Sequence, residues 1–300
     1  MCTTGRSDRG RSESPVILVL GRSGLLGSAM AALLERLGRS HRAVSPAELD
    51  IGRPETVATG VMALAPDAVV NAAAFTDVNK AELPEHRSEV FLVNRDGPEA
   101  LARVCAARGI PLVHVSTDYV FDGSKGEPYV EDDPTGPLQV YGESKLEGER
   151  RVFDAFPDAV VVRTSTLYGS GRSSRPHYVD AIASQARQRQ RLEVVESPVS
   201  SPTYAPDLAE GILALLDVAA TGVVHAVNDG ACSRLELARA IVESMGLADA
   251  VEVRTRAEPE GALRRPAFSA LSTARLTSLT GRPPRPWRTA LDDYLSQRRP

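Results

Sequence analysis

Val16-Ile17-Leu18-Val19-Leu20, followed at once by Gly21-Arg22-Ser23-Gly24-Leu25-Leu26-Gly27, is the stretch whose reading decides the fold. The first five residues are a short apolar run rich in β-branched side chains, the pattern of a buried strand. The next seven space their glycines as G-x-x-G-x-x-G, a variant of the dinucleotide fingerprint. In that reading Gly21 makes the tight turn. Gly24 lets the backbone approach a pyrophosphate, and Gly27 lets the next helix pack close to the strand. Leu26, Met30, Leu33, Leu34 and Leu37 then recur at helical spacing up to Gly38. The start of that helix offers N–H groups and a positive dipole end to phosphate. Glycines alone would also suit a plain strand-to-helix turn; the strand before and the amphipathic helix after are the context the motif requires.

Outward from this unit the pattern alternates. Arg42–Val44 reads as a weak strand, Pro54–Leu64 as a helix with proline in its first turn, and Ala68–Asn71 as a strand. Glu85–Arg108 is largely helical up to Gly109, and Pro111–Ser116 is a strand. Pro137–Phe156 (helix), Ala159–Arg163 (strand), Pro176–Arg189 (helix) and Leu192–Val195 (strand) continue the series. Pro206–Leu216 (helix), Val223–Val227 (strand) and Arg234–Met245 (helix) follow. Strands alternating with helices of this length predict an α/β fold: a Rossmann-type doubly wound parallel sheet with right-handed crossovers. After about residue 170 the pattern loosens and proline becomes frequent, which suggests a smaller, interrupted substrate-binding lobe. The expected division is a disordered tail at 1–14, a dinucleotide-binding domain at 15–170 plus about 205–230, and the lobe at about 171–204 plus 231–300. The tail is polar and rich in Gly, Ser and Arg, without the apolar stretch of a signal peptide.

Composition sets outer limits. The chain has 300 residues, 42% hydrophobic and 25% charged, enough for a sizeable core and unlike a collagen-like or wholly disordered chain. A net charge of −4 argues against a dedicated nucleic-acid binder. The apolar runs are too short for a membrane span. Three cysteines, Cys2, Cys105 and Cys232, lie far apart and show no disulfide framework or metal-ligand spacing, so the reducing cytosol is the expected compartment and no metal is expected.

The end of the second strand reads out the cofactor. An acidic side chain there would bind the ribose 2′-hydroxyl of NAD. Here Val44 is followed by Ser45 and Pro46, with no carboxylate until Glu48, and Arg22 in the glycine loop is placed to reach a 2′-phosphate. This favours NADPH; the plain alternative for Arg22 is an exposed loop arginine. Tyr141 and Lys145, four apart on a predicted helix, share one face. With seven tyrosines and only three lysines (Lys80, Lys125, Lys145), chance supplies about 0.07 such pairs. A phenol titrates near 10, and a nearby ammonium favours phenolate, so the pair is expected to act as a general acid toward a developing alkoxide. The lysine can also donate to a ribose hydroxyl. A hydroxyl at the carboxyl end of a parallel strand faces the ligand crevice, and Thr117 or its neighbour Ser116 would polarise a substrate carbonyl there. His114 reads as a packed strand residue and Asp118 as a loop-capping carboxylate.

On these residues the chain resembles an extended short-chain dehydrogenase/reductase, specifically the dTDP-4-dehydrorhamnose reductase family. The resemblance runs from about Val16 to Leu295. It adds to the motifs above Leu49-Asp50-Ile51, Asn71-Ala72-Ala73-Ala74-Phe75-Thr76, Lys80-Ala81-Glu82, Val93-Asn94, Ser116-Thr117-Asp118-Tyr119-Val120-Phe121-Asp122-Gly123, Arg163-Thr164-Ser165, Ser201-Pro202-Thr203-Tyr204 and Arg265-Pro266. It implies that the whole loop from Gly21 to Gly27, Ser23, Leu25 and Leu26 included, binds the dinucleotide together with Ser45. Asp50 and Ile51 would flank the adenine, while Ala72, Ala73, Ala74 and Thr76 line the cleft. It implies a catalytic triad of Thr117, Tyr141 and Lys145, and substrate contacts from Thr117, Asp118, Tyr119 and the position of Thr166.

The implied activity is reduction of the C4 ketone of a dTDP-4-keto-6-deoxy sugar with NADPH, with NADH as a second cofactor and a homodimer allowed. Three departures bear on the sugar. Thr166 stands where the family commonly has Trp, Pro198 and Ser200 precede Ser201 where Gln and Gly are usual, and Asn79 stands where Asp is frequent. They leave open a different 4-keto sugar of secondary metabolism, such as an antibiotic sugar. A dehydratase would need an acid where Tyr119 stands. A non-catalytic regulatory subunit would not need the full triad.

Overall fold

The computed structural model describes residues 15–171 and 176–298, so the tail expected at 1–14 lies outside the described residues. The chain runs β1 (Ile17–Leu20), α1 (Leu25–Arg36), β2 (His41–Val44), α2 (Pro54–Leu64), β3 (Ala68–Asn71), α3 (Val78–Ala81), α4 (Arg87–Phe91), α5 (Gly97–Arg108) and β4 (Leu112–Thr117). It continues through α6 (Val140–Ala155), β5 (Val160–Thr164), β6 (Leu167–Tyr168), α7 (Tyr178–Ala186), β7 (Arg191–Val194), β8 (Val199–Ser200) and β9 (Thr203–Tyr204). After these come α8 (Ala205–Asp217), β10 (Gly222–His225), β11 (Cys232–Ser233), α9 (Arg234–Ser244), β12 (Glu252–Thr255), α10 (Ala274–Thr280) and α11 (Trp287–Ser296).

Six strands form one parallel sheet in the order β10-β5-β4-β3-β1-β2. The order reverses between β1 and β3, and a doubly wound sheet opens its ligand crevice at the carboxyl ends of the strands at such a point. Both faces are covered, which is why the strands read as unbroken apolar runs. Ile17, Val19, Val70, Val113 and Val162 pack on one face against Met30 and Leu34 of α1 and Leu208 and Ile212 of α8. Leu18, Leu20, Val69 and Val161 pack on the other against Val57 and Val61 of α2, Leu101 of α5 and Val152 of α6. Each such side chain, fully buried, contributes about 1.5–3 kcal/mol. A separate apolar cluster joins α7, α9 and α11 around the rings of Tyr168, Tyr204 and Tyr294.

The long helix expected over Glu85–Arg108 is not continuous. A 3₁₀ turn at Pro84–His86, α4, and a π-helical segment at Leu92–Asp96 precede α5. Pro98 cannot donate to the carbonyl four residues back, and the Gly97 N–H bonds Leu92 O instead, which widens the turn. The widened turn buries Asn94, whose side chain accepts from the Phe75 N–H (2.9 Å) and donates to Phe75 O (3.1 Å) and Ser144 Oγ (3.0 Å). Asn94 thereby pins the loop after β3 to α6. The region after residue 245, for which the pattern predicted no element, contains β12, α10 and α11.

Candidate functional site

The glycine loop lies at the switch point, as its motif requires. Gly21 has φ +85°, and a Cβ there would sit 2.9 Å from the backbone of Ala72 and Ala73, so the turn after β1 touches the strand end of β3. A Cβ on Gly27 would fall 2.1 Å from Gly21 O, which holds α1 against the turn. Gly24 is the N-cap of α1 and no side chain caps that end, so the helix N-terminus is left to a ligand. Arg22 and Ser23 are exposed, whereas the Leu26 side chain is buried in the core. Leu26 therefore has only its backbone to offer a cofactor. Ile51 is likewise buried, and Thr76 is exposed on the loop after β3. Asp50 accepts from the Gly52 N–H at 2.8 Å, closing the turn that carries Asp50 and Ile51.

At the end of β2 the structure adds what residue counting missed. The chain turns so that Glu48 accepts from the Ser45 N–H and hydroxyl, both at 3.0 Å. Those bonds, first among the causes, hold the Glu48 carboxyl below its ordinary value, with help from Arg22 and Arg42. The two guanidiniums stand 3.7 and 3.6 Å from it. A carboxylate thus occupies the strand end after all, flanked by two arginines, of which sequence spacing identified only Arg22.

Thr117 ends β4, and Tyr141 and Lys145 lie on one face of α6. A Cβ on Gly142 would meet Tyr119 O at 2.2 Å, so that glycine allows α6 to close onto the segment after β4. The Thr117 hydroxyl donates to Asp118 Oδ1 at 3.1 Å and accepts from the Tyr119 N–H at 3.2 Å. One expectation is corrected: the Lys145 ammonium does not pull the phenol down. Burial pushes the Tyr141 phenol above its ordinary value; Thr117 lowers it, and Asp118 and Tyr119 raise it further. The Lys145 amine is instead drawn to β4, donating to Val115 O at 2.6 Å and standing 3.4 Å from His114 Nε2. Burial pulls Lys145 down to about 8, with Glu149 acting in the opposite direction.

Ser116, the competing hydroxyl, is engaged elsewhere. It bonds Glu149 at 2.5 Å, and Glu149 is held by Arg163 Nη2 at 2.7 Å in a buried pair. This network, which sequence reasoning did not assign, leaves Thr117 as the hydroxyl of the pair that Glu149 does not engage. Asp118 is buried and accepts from Ser269 Oγ (2.6 Å), Ser165 Oγ (2.7 Å) and Thr117 Oγ1 (3.1 Å). Burial still pushes its carboxyl up, to about 6. Tyr119 places its ring edge-on to Tyr141, with centroids 6.0 Å apart. Burial, with Asp118, pushes the Tyr119 phenol up, and the charges of Arg234 and Arg265 act in the opposite direction. Arg265 also donates to Asn79 Oδ1 at 2.9 Å. Of these two arginines the sequence had shown Arg265 only within a motif, and nothing had singled out Arg234. Thr166 holds a positive φ of +36°, a strained conformation for a β-branched residue, and its hydroxyl bonds Ser200 Oγ at 2.7 Å.

Comparisons with known proteins place the chain in a family. The family model described as the RmlD substrate binding domain matches residues 15–299. A dTDP-4-dehydrorhamnose reductase of Mycobacterium tuberculosis is 42% identical over 295 residues, covering 96% of this chain and 94% of that protein. A dTDP-4-keto-6-deoxy-D-glucose reductase of Streptomyces niveus is 36% identical over 277 residues, with 91% and 94% covered. A crystal structure of the Bacillus anthracis dTDP-4-dehydrorhamnose reductase in complex with NADP superposes with a TM-score of 0.87 at 28% identity, covering 95% of this chain and 100% of that one.

Proposed function

The chain belongs to the dTDP-4-dehydrorhamnose reductase family, and from that premise we propose that it reduces the C4 ketone of a dTDP-linked 4-keto-6-deoxy sugar with NADPH. The observation that carries the reading is the meeting of the end of β4, which carries Thr117, with the face of α6 that carries Tyr141 and Lys145, where Lys145 donates to Val115 O at 2.6 Å and Gly142 lets the helix close onto the segment after β4. The residues present fit a dinucleotide: the turn at Gly21 is closed to any side chain, and the start of α1 has no side-chain cap. Gly21, Gly24 and the backbone from Arg22 to Gly27 would hold the pyrophosphate. Asp50 and Ile51 would flank the adenine, Ala72, Ala73, Ala74 and Thr76 would line the cleft, and Ser45, Arg22 and Arg42 would meet the 2′-phosphate. When bound, the reduced dinucleotide supplies the hydride that adds to the ketone carbon.

The chain's own residues manage the oxygen. Thr117 orients the carbonyl, and Tyr141 delivers a proton to the oxygen as charge develops there. Its raised proton affinity keeps the phenol protonated at neutral pH, so it is a donor before each turnover. Lys145 would hold the ribose hydroxyls of the dinucleotide. Arg234 and Arg265 are suited to the diphosphate of the sugar nucleotide. Asn79 holds Arg265 through a neutral amide, which leaves its charge for an anionic ligand. The segments around the tyrosine cluster would form the sugar-binding side. A homodimer and a cytosolic location complete the reading; among the described residues no helix is long and apolar enough to cross a membrane.

One observation favours a second reading of the sugar. Thr166 and Ser200, two positions that depart from the family pattern, hydrogen-bond each other. A polar pair there suits a differently substituted 4-keto sugar better than an aromatic wall would. The test follows NADPH oxidation with several dTDP-4-keto sugars and identifies the products. Turnover with at least one is expected; none with any of them would overturn the proposal.

A further inference from the structure

Asn71, His114 and Lys145 form a buried line across β3, β4 and α6, with 1%, 0% and 1% exposure. Asn71 and His114 are register partners on adjacent strands. Asn71 Oδ1 accepts from the Ala73 N–H at 3.2 Å. A backbone N–H can only donate, so the end of the amide facing His114 is the NH2 group, which also only donates. His114 Nδ1, 3.1 Å away, must therefore accept. That leaves a neutral ring with its proton on Nε2. Nε2 faces Lys145 Nζ at 3.4 Å, and the lysine donates to Val115 O at 2.6 Å.

An Nε2–H aimed at Nζ is satisfied by the lone pair of an amine and opposed by an ammonium, which carries three donors and no acceptor. Reversing the ring would require reversing the amide, which would set Nδ2 against the Ala73 N–H and leave buried donors unmatched. We propose that Asn71 and His114 are a buried relay that fixes the position of Lys145 and weakens its hold on its proton, which makes them positioning residues for the reduction. This rests on the reading of Lys145 as the partner of the cofactor ribose and of Tyr141. The charged and titratable groups that face Lys145 are His114 from β4 and Glu149 from its own helix; Asp118 and Tyr119 act on Tyr141. Burial and the lysine charge hold His114 well below its ordinary value, in keeping with a neutral ring. Glu149 favours the ammonium and His114 the amine, so the lysine is balanced between a near carboxylate and a near donor.

Two experiments test the relay. Nitrogen-15 NMR of histidine-labelled protein at neutral pH, with His114 assigned from a His114→Phe variant, reads the tautomer without any turnover. The Nε2–H form is expected; an Nδ1–H form or an imidazolium overturns the proposal. The second follows the pH at which NADPH affinity and kcat/KM decline on the alkaline side. His114→Phe removes the opposing donor. Asn71→Asp places an acceptor opposite Nδ1 and turns Nε2 into an acceptor for the ammonium. Both are expected to move the alkaline limb upward by about one pH unit, a tenfold change in proton affinity. A role in packing alone would lower the melting temperature and leave the limb in place, and that result would refute the relay. If the parental protein turned over no 4-keto sugar, the proposed activity would fail. The tautomer and the pH dependence of NADPH binding would still decide the relay.

Discussion

Gly24 and Gly27 belong to one motif, yet the structure gives them different jobs, and alanine at each should separate the two. A Cβ at position 27 would lie 2.1 Å from Gly21 O and 2.6 Å from Gly21 C, both backbone atoms of a turn that itself abuts Ala72. Neither side can swing away as a side chain would. Loop or helix must move by about an ångström to restore contact distance, and overpacking of this kind costs about 1–3 kcal/mol. At about 2–4 °C per kcal/mol for a chain somewhat shorter than this one, Gly27→Ala should melt about 2–12 °C lower without cofactor. The moved turn is the proposed phosphate cradle, so NADPH affinity should also fall, by about tenfold or more.

At Gly24 a Cβ would meet only Gly21 O, at 3.4 Å, and the residue has φ −73°. Alanine there loses about 0.5–1 kcal/mol as a helix cap. It recovers about 0.4–1 kcal/mol from a less flexible unfolded chain. Gly24→Ala should therefore melt within about 2 °C of the parent by the same conversion, while its methyl group, standing where the pyrophosphate is proposed to approach, weakens NADPH binding. Differential scanning fluorimetry without cofactor and NADPH fluorescence titration measure the two effects. Parental stability in Gly27→Ala would refute the close-packing argument. Parental NADPH affinity in Gly24→Ala would refute the placement of the phosphate.

The remaining predictions concern chemistry, cofactor, pocket and pH. Tyr141→Phe should lose about 10²–10⁴ in turnover with NADPH affinity nearly unchanged, since a positioned acid is worth that much; near-parental turnover in single-turnover assays would remove Tyr141 as the donor. Glu48→Gln should raise the preference for NADPH over NADH, because the carboxylate competes with a 2′-phosphate for Arg22 and Arg42; Arg22→Ala should lower it, and both follow from kcat/KM ratios. Thr166→Trp should shift relative kcat/KM among 4-keto sugars toward the rhamnose precursor; an unchanged ratio would mean that residue 166 does not reach the sugar. The Asp118 carboxyl is raised from 3.8 to about 6, so the folded state favours its protonated form and stability falls as pH rises through that interval. Denaturant midpoints at pH 4.5 and 7.5 should show the parent losing up to about 2 kcal/mol more than Asp118→Asn over that interval.

The sheet was legible because buried parallel strands must be apolar throughout and their helices must repeat at 3.6 residues. Pro54–Leu64 and Ala68–Asn71 are read to the residue on those grounds. The π-helical segment at Leu92–Asp96 was not legible, since its cause is one proline whose effect depends on what the widened turn then reaches. The region after residue 245 failed for another reason: α10 is short and α11 is wrapped among prolines, so neither displays a long enough period. In the site, the spacing of Tyr141 and Lys145 gave the pair but the wrong electrostatics, because adjacency on a helix face says nothing of the burial that dominates both groups. Glu48 was missed by counting along the chain, when the turn after β2 brings it back to Ser45.

The same limit explains why Asp118 read as a mere loop cap. Its sequence neighbours give it only Thr117; its other two donors come from Ser165, just beyond β5, and Ser269, 151 residues away. A buried carboxylate is costly unless hydrogen bonds satisfy it, and here three hydroxyls from three separate segments do so. One of those hydroxyls belongs to Thr117, which acts on the Tyr141 phenol and lowers it against burial. Ser269 belongs to a segment paired with Val199, beside the Ser200 that holds Thr166. The orientation of the threonine proposed to be catalytic and the proposed wall of the sugar pocket are thus tied to one carboxylate. A change of sugar specificity made at Ser200 or Thr166 is therefore coupled to Thr117 through two or three bonds, and substitutions there should not be additive with those at Asp118.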